Sequence, residues 1–218
     1  MPTILCIETS TTNCSVAITQ NGKTLAIKED FDGGFSHAEK LHLFIKEILE
    51  ESNLKLSNLD AVAISKGPGS YTGLRIGVSA AKGLCFSLDI PLISVPTLTA
   101  LANQVEQQGI VIPMLDARRM EVYAAVFNSA KEQILKTSAI ILEPDSFQEY
   151  LEKEQVYFIG SGVEKFQKIC VHQNANFIEN KLPSAREIVE LAVSKYKISD
   201  FESVAYFEPY YLKDFIAG

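Results

Sequence analysis

Three apolar runs follow one another between residues 3 and 30, with no stretch between them long enough for a helix. "TILCIETS" is a short buried run. "NCSVAITQ" alternates, with Cys14, Val16 and Ile18 on one face, and "KTLAIKED" returns after Asn21-Gly22. Asn-Gly between such runs readily adopts the two left-handed conformations of a tight hairpin. The chain is therefore committed to a strand meander at its start. Leu41, Phe44, Ile45, Ile48 and Leu49 then recur at helical spacing within residues 36–52, where Ser36 and Glu39 form a capping box. A buried strand at 59–65, a glycine-rich loop leading into a second helix, and a strand at 90–95 complete the order β-β-β-α-β-α-β. That order predicts a mixed sheet with helices on its faces.

A second α/β unit begins near residue 97. It reads as a helix at 97–108, strands at 109–117, 121–127 and 132–142, and then helix, strand, helix and a short strand. A last clear helix spans 184–197, with Ile188, Leu191, Ala192 and Tyr196 aligned. No Pro/Gly/Ser-rich linker intervenes, so two closely packed lobes are expected, 1–96 and 97–218, the last segment packing back on the first lobe.

The 218 residues carry a formal net charge of −7. Acid is shared between the halves: residues 1–109 hold 8 Lys/Arg and 11 Asp/Glu, and residues 110–218 hold 12 and 16. Autonomous nucleic-acid binding needs clustered cations, and none stands out. Cys6, Cys14, Cys85 and Cys170 form no C-x-x-C pair and read as reduced, packed thiols of a cytosolic protein. No signal peptide opens the chain, and Arg75, Lys82 and Asp89 interrupt its longest apolar region, so no membrane association is expected.

The segment "SKGPGSYTGLRIGVSAAKGL" (65–84) poses the main question. A P-loop needs Lys-Ser/Thr after its last glycine; here Leu74-Arg75 follow Gly73. The G-x-G-x-x-G spacing fails as well. A helix N-terminus after such a loop still offers free N–H groups to an anion. Gly73, Gly77 and Ala81 lie four apart on one nearly smooth helix face, although each interior glycine costs about 1 kcal/mol. Two readings stay open: close packing on the chain's own sheet, or a contact for a partner helix rimmed by Val78, Lys82 and Cys85.

Glu8, Thr9, Ser10 and Thr11 sit in the first strand turn, where hydroxyls and N–H groups could hold phosphate. Asp116 ends a corresponding strand in the second unit. Together they outline a nucleotide cleft; singly, each acid reads as a turn cap. His37 and His42 are five apart, which rotates them about 140° from each other on a helix. No metal site is expected from them, and no catalytic set declares itself.

Taken together, "ILCIETSTTNCSVAI", "SHAEKLHLFIKEIL", "GPGSYTGLRIGVSAAKGLCFSLDIPLISVPTLTALA", "MLDARRMEVYAAVF" and "FEPYYLKDF" resemble the bacterial TsaB (YeaZ) family over nearly the whole chain. GPGSYTGLRIG is the most specific of these. The resemblance implies an α/β fold of the actin/hexokinase (ASKHA) type, two related lobes with mixed sheets. It also implies a non-catalytic subunit of the cytosolic complex that makes threonylcarbamoyladenosine (t6A) beside the anticodon of ANN-decoding tRNAs. In that family the paralogue TsaD is catalytic and the ATPase TsaE joins it. ATP and ADP are used by the complex, and no cofactor is bound tightly by the TsaB subunit. tRNA is met only through the complex. The two N-terminal helices dock on TsaD, or on a second TsaB in a homodimer. This implies a contact surface of Leu41, Ile45, Gly73, Leu74, Gly77, Val78, Ala81, Lys82 and Cys85. One departure stands out. Many nucleotide-binding relatives have Asp and a nearby Gly in the first turn, where this chain has Glu8 and no Gly, and this counts against direct nucleotide binding. The competing readings are a small ASKHA ATPase or sugar kinase using Glu8 and Asp116, and a peptidase.

Overall fold

In a computed structural model, which describes residues 2–31 and 37–213, the meander consists of β1 (Thr3–Glu8), β2 (Cys14–Gln20) and β3 (Lys23–Asp30). Asn21 and Gly22 take φ of 57° and 77°, as the tight hairpin requires. There follow α1 (His37–Glu51), β4 (Ala61–Ser65), α2 (Tyr71–Leu88) and β5 (Leu92–Val95). Ser36 of the expected capping box lies outside the described residues. β1, β2 and β3 pair antiparallel, whereas β4 and β5 run parallel to β1, in the order β3-β2-β1-β4-β5.

Side chains alternate across each strand, so the sheet has two distinct faces. One face presents Leu5, Ile7, Val16, Ile18, Val62 and Ile64 to the apolar stripes of α1 and α2. The other is lined by smaller residues, among them Cys6, Ala17, Ala61 and Ala63, and packs against α6 (Ala185–Lys197). That helix buries Ala185, Ile188, Val189, Ala192 and Val193. Leu191 and Tyr196, expected in the stripe, are only half-buried. A small-residue sheet face lets the helix come close and selects short side chains, while the Tyr196 ring instead lies 5.6 Å from Phe201.

The second unit contains β6 (Ile110–Asp116), β7 (Glu121–Phe127), β8 (Gln133–Ile141), α4 (Gln148–Leu151), β9 (Val156–Ile159), α5 (Val163–Gln167) and β10 (Ala175–Ile178). Its sheet order is β10-β9-β6-β7-β8, with β6 to β8 antiparallel and β9 and β10 parallel to β6. Read from the β8 end, this is the first sheet's topology again. The helices of the second copy are shorter: α1 and α2 have 15 and 18 residues, but α4 and α5 have 4 and 5. Aromatic rings fill the space that longer helices would cover. Phe158 and Phe166 lie 4.9 Å apart, with Phe147 and Phe177 against both.

The helix expected over 97–108 is shorter, α3 (Thr97–Ala102). It stops where Val105 turns into the core with Leu98, Leu101, Val111, Phe127 and Ile159. Compactness divides the chain into Met1–Thr97 with Pro183–Gly218, and Leu98–Leu182. The range 97–218 read from sequence is thus cut at Pro183. The residues beyond belong with the first unit because α6 covers that unit's small-residue sheet face. This duplicated mixed sheet is the ASKHA architecture. Among the described residues, no helix is long and apolar enough to cross a membrane.

Hydroxyls fix the entry of α6. Ser184 is its N-cap, accepting from the Arg186 N–H at 3.0 Å and donating to Glu29 at 2.5 Å. The Ser15 hydroxyl accepts from the Ala185 N–H at 3.0 Å, and the Asn13 amide donates to the Pro183 carbonyl at 2.9 Å. Loss of such a cap typically costs about 1–2 kcal/mol. Ser184→Ala is therefore expected to lower the urea midpoint of unfolding with little change in the circular dichroism of the native state.

Candidate functional site

The glycine-rich segment carries the chain from β4 into α2. Ser70 caps the helix, its hydroxyl accepting from the Gly73 N–H at 3.2 Å. The Ser70 N–H in turn donates to the Ser10 carbonyl at 2.6 Å. The β1–β2 turn thus lies directly on the start of α2. A Cβ on Gly69 would overlap the Ser10 carbonyl, one on Gly73 the Thr9 carbonyl, and one on Gly77 the Thr9 hydroxyl. Three glycines of the motif therefore make room for the backbone and one short side chain of the same molecule.

This corrects the expected partner surface. Leu41, Ile45, Leu74, Val78, Ala81 and Cys85 are 0–5% exposed, and Gly73 and Gly77 are buried with them. They form the inner face of α1 and α2, against the sheet and its first turn. Periodicity marks a smooth helix face but does not reveal whose backbone fills it; here residues 9 and 10 do. Lys82 alone of the set stays half-exposed, and its Nζ donates to the carbonyls of Ala205 at 3.2 Å and Phe207 at 2.8 Å. The outward face of α2 carries Thr72, Arg75, Ser79, Gly83 and Phe86, all exposed. A Cβ on Gly83 would have no neighbour within 4 Å among the described residues.

The first-turn residues point inward too. Glu8 is completely buried; its Oε1 accepts from the Ser10 N–H at 2.6 Å and the Ser65 hydroxyl at 2.8 Å. Among the described residues its Oε2 has no hydrogen-bond partner. Burial pushes the carboxyl above the usual range, against the opposing effect of the Ser10 and Ser65 hydrogen bonds. The Thr9 and Ser10 hydroxyls are likewise buried, and that of Thr9 has no partner among the described residues. Thr11 is half-buried, and its carbonyl meets His37 Nε2 at 2.7 Å. Glu8, Thr9 and Ser10, read as nucleotide ligands, are thus enclosed by the chain itself, because the glycines of α2 let the helix close over them. His37 is buried and His42 exposed, so the histidine pair is divided between two faces.

In the second unit Asp116 is exposed and acts as a turn cap. One carboxylate oxygen accepts from the Arg118 N–H at 2.7 Å, and the other pairs with Lys165 at 3.0 Å. Arg118 and Arg119 take φ of 70° and 49° at the hairpin tip, a conformation uncommon outside glycine and asparagine. No turn residue in the sequence announces it. Residues 202–213 form a strap that returns to the first unit, as expected of the last segment, but the contacts that anchor it carry no sequence signal. The Glu202 N–H donates to the Leu92 carbonyl at 2.8 Å, and the Ser94 hydroxyl donates to the Glu202 carboxylate at 2.5 Å. The Tyr210 N–H reaches the Lys66 carbonyl at 2.7 Å. The Tyr211 ring lies 4.9 Å from Tyr71, and its hydroxyl accepts from Arg75 Nε at 3.3 Å.

Two copies of one mixed sheet, with the first strand turn closed by the chain's own helix, define an ASKHA-type protein. A family model described as TsaD, tRNA N6-adenosine threonylcarbamoyltransferase, matches residues 34–217. The tRNA threonylcarbamoyladenosine biosynthesis protein TsaB of Haemophilus influenzae is 32% identical, over 97% of this chain and 94% of that protein. TsaB of Bacillus subtilis is 33% identical, over 72% of this chain and 70% of that protein. The solved structure of YeaZ from Pseudomonas aeruginosa superimposes with a TM-score of 0.84 at 28% identity, covering 97% of this chain and all of that one. The chain belongs to the TsaB (YeaZ) family of t6A biosynthesis proteins.

Two expectations follow from this geometry. Gly73→Ala and Gly77→Ala are expected to destabilise by at least about 1–3 kcal/mol through overpacking, whereas Gly83→Ala stabilises by up to about 1 kcal/mol. Thermal melts of the three variants check the contrast. The second concerns pH. The buried site favours neutral Glu8, whereas the unfolded chain ionises it, so this group loses the protein stability as pH rises out of the carboxylate range. Glu8→Gln keeps an acceptor for Ser10 and Ser65 without that loss. Its gain in unfolding midpoint over the natural chain is expected to grow between about pH 5 and about pH 8.

Proposed function

We propose that the chain is the non-catalytic subunit that supports a TsaD-type transferase. That enzyme places the threonylcarbamoyl group on the adenosine beside the anticodon of ANN-decoding tRNAs. The observation that carries this reading is the closed first turn. Thr9 and Ser10 fill the slot left by Gly69, Gly73 and Gly77, and the Glu8 carboxyl faces the interior. Groups held in this way do not reach a substrate, whereas a rigid pair of helices can steady a partner. Membership of the TsaB family supports the same assignment, as does the match of a transferase family model to residues 34–217.

In this reading the chain works in the cytoplasm, holds no cofactor tightly and meets tRNA only through the complex. The ATPase TsaE completes the assembly, and the isolated chain pairs with itself. The docking surface is the outward face of α1 and α2, which includes Leu43, Ser79 and Gly83, with Lys82 at its edge. Binding there shifts the transferase toward its competent conformation, in proportion to the difference in affinity for its two states.

Reconstitution tests the assignment. The chain alone is expected to leave tRNA unmodified and ATP intact. Added to its cognate TsaD and TsaE with ATP and threonylcarbamoyl-adenylate, it should strongly stimulate t6A formation, followed by nucleoside mass spectrometry. Modification or ATP turnover by the chain alone would favour the enzyme readings. No stimulation of the cognate pair would remove the support role.

A further inference from the structure

Two large aromatic side chains stand almost wholly in solvent on the first unit: Phe86 of α2 at 85% exposure and Tyr206 of the strap at 87%. Lys82 brings them into one neighbourhood. It precedes Phe86 by one helical turn on the same face. Its Nζ holds the carbonyls of Ala205 and Phe207, the two residues that flank Tyr206. Phe207 points inward, 8% exposed, into the core beneath α1 and α2, which leaves Tyr206 turned outward. Nor is Tyr206 part of a loose tail. Glu202 ties the strap to β5 on one side, and Tyr210 ties it to the Lys66 carbonyl on the other.

We propose that Phe86 and Tyr206 form the aromatic end of the surface that receives the TsaD-type transferase, with Lys82 as the positioning residue that holds Tyr206 in place. This rests on the docking face assigned above and extends it from α2 onto the strap. Three observations favour that occupant. Phe86 continues the exposed face that carries Ser79 and Gly83. Two such rings offer on the order of 300–500 Å² of contact, a large part of the roughly 800 Å² that each partner contributes to a stable interface. Asp89, three residues after Phe86, and Glu208, two after Tyr206, are exposed acids that suit a basic rim around an apolar patch on the partner.

The experiment measures binding of the full-length chain to its cognate transferase by calorimetry. Phe86→Ala and Tyr206→Ala are expected to weaken binding about tenfold or more each, as anchors of this kind do, while Tyr206→Phe keeps the ring and binds within about twofold of the natural chain. Lys82→Gln is expected to weaken binding similarly and to raise amide exchange at residues 203–209, which a contact role alone would not do. Gly83→Arg tests the underlying docking face separately. If Gly83→Arg abolishes binding while both alanine variants bind normally, the surface ends short of the strap and the proposal fails alone. If Gly83→Arg also binds normally, the docking face itself is wrong and the proposal falls with it. If the alanine variants break only self-association, the patch belongs to a second copy of the chain, and the transferase assignment is overturned.

Discussion

The first unit is organised around the approach of two backbones: the carbonyls of Thr9 and Ser10 against the start of α2. No side chain larger than hydrogen fits at Gly69, Gly73 or Gly77 once that approach is made. The approach also gives the Ser70 N–H its acceptor, the Ser10 carbonyl, and so satisfies a donor that a helix start would otherwise leave to water or a ligand. Three consequences follow. The helix is set at a fixed height over the sheet. The Glu8 carboxyl at the end of β1 is sealed from solvent. The outward face of α2 is left clear of the sheet, with Arg75 reaching the Tyr211 hydroxyl of the strap. Interior glycines cost helix stability, and here close packing offsets that cost.

The same sheet topology serves the two units differently. In the first, long α1 and α2 cover the large-residue face and α6 the small-residue face. In the second, α4 and α5 are single turns, and an aromatic cluster around Phe158 and Phe166 replaces the missing helical surface. Large rings bury more area per residue, so a short segment can close a core that would otherwise need a full helix. Phe147 takes a left-handed conformation to place its ring there, with φ of 65°.

An inner and an outer side of α2 thus divide the work. The inner side is consumed by folding. The outer side combines Gly83, above which no described atom lies within 4 Å of a Cβ, small polar residues and the largely exposed ring of Phe86. The strap beside it is held by Lys82, a residue whose spacing on the helix suggested a contact and whose geometry makes it a clamp. The support role proposed above rests on this division: the first turn is closed, and only the outer faces of α1 and α2 are exposed.

Much of the fold was legible in the residues alone. The Asn21-Gly22 hairpin, the stripe from Leu41 to Leu49 and the alternation of Cys14, Val16 and Ile18 are local patterns, and all three took their expected form. Local periodicity works because helix and strand repeat within a few residues. The four-residue spacing of Gly73, Gly77 and Ala81 was equally visible, yet its meaning was not. That depended on which segment would lie against it, and the answer is a turn more than sixty residues earlier in the chain. The enclosure of Glu8, the clamp made by Lys82 and the return of α6 to the first sheet are of the same kind. Each joins residues whose separation leaves no periodic trace. The sequence by itself determined the elements and their order; tertiary packing decided which faces are interior, because burial is a property of what comes to lie opposite.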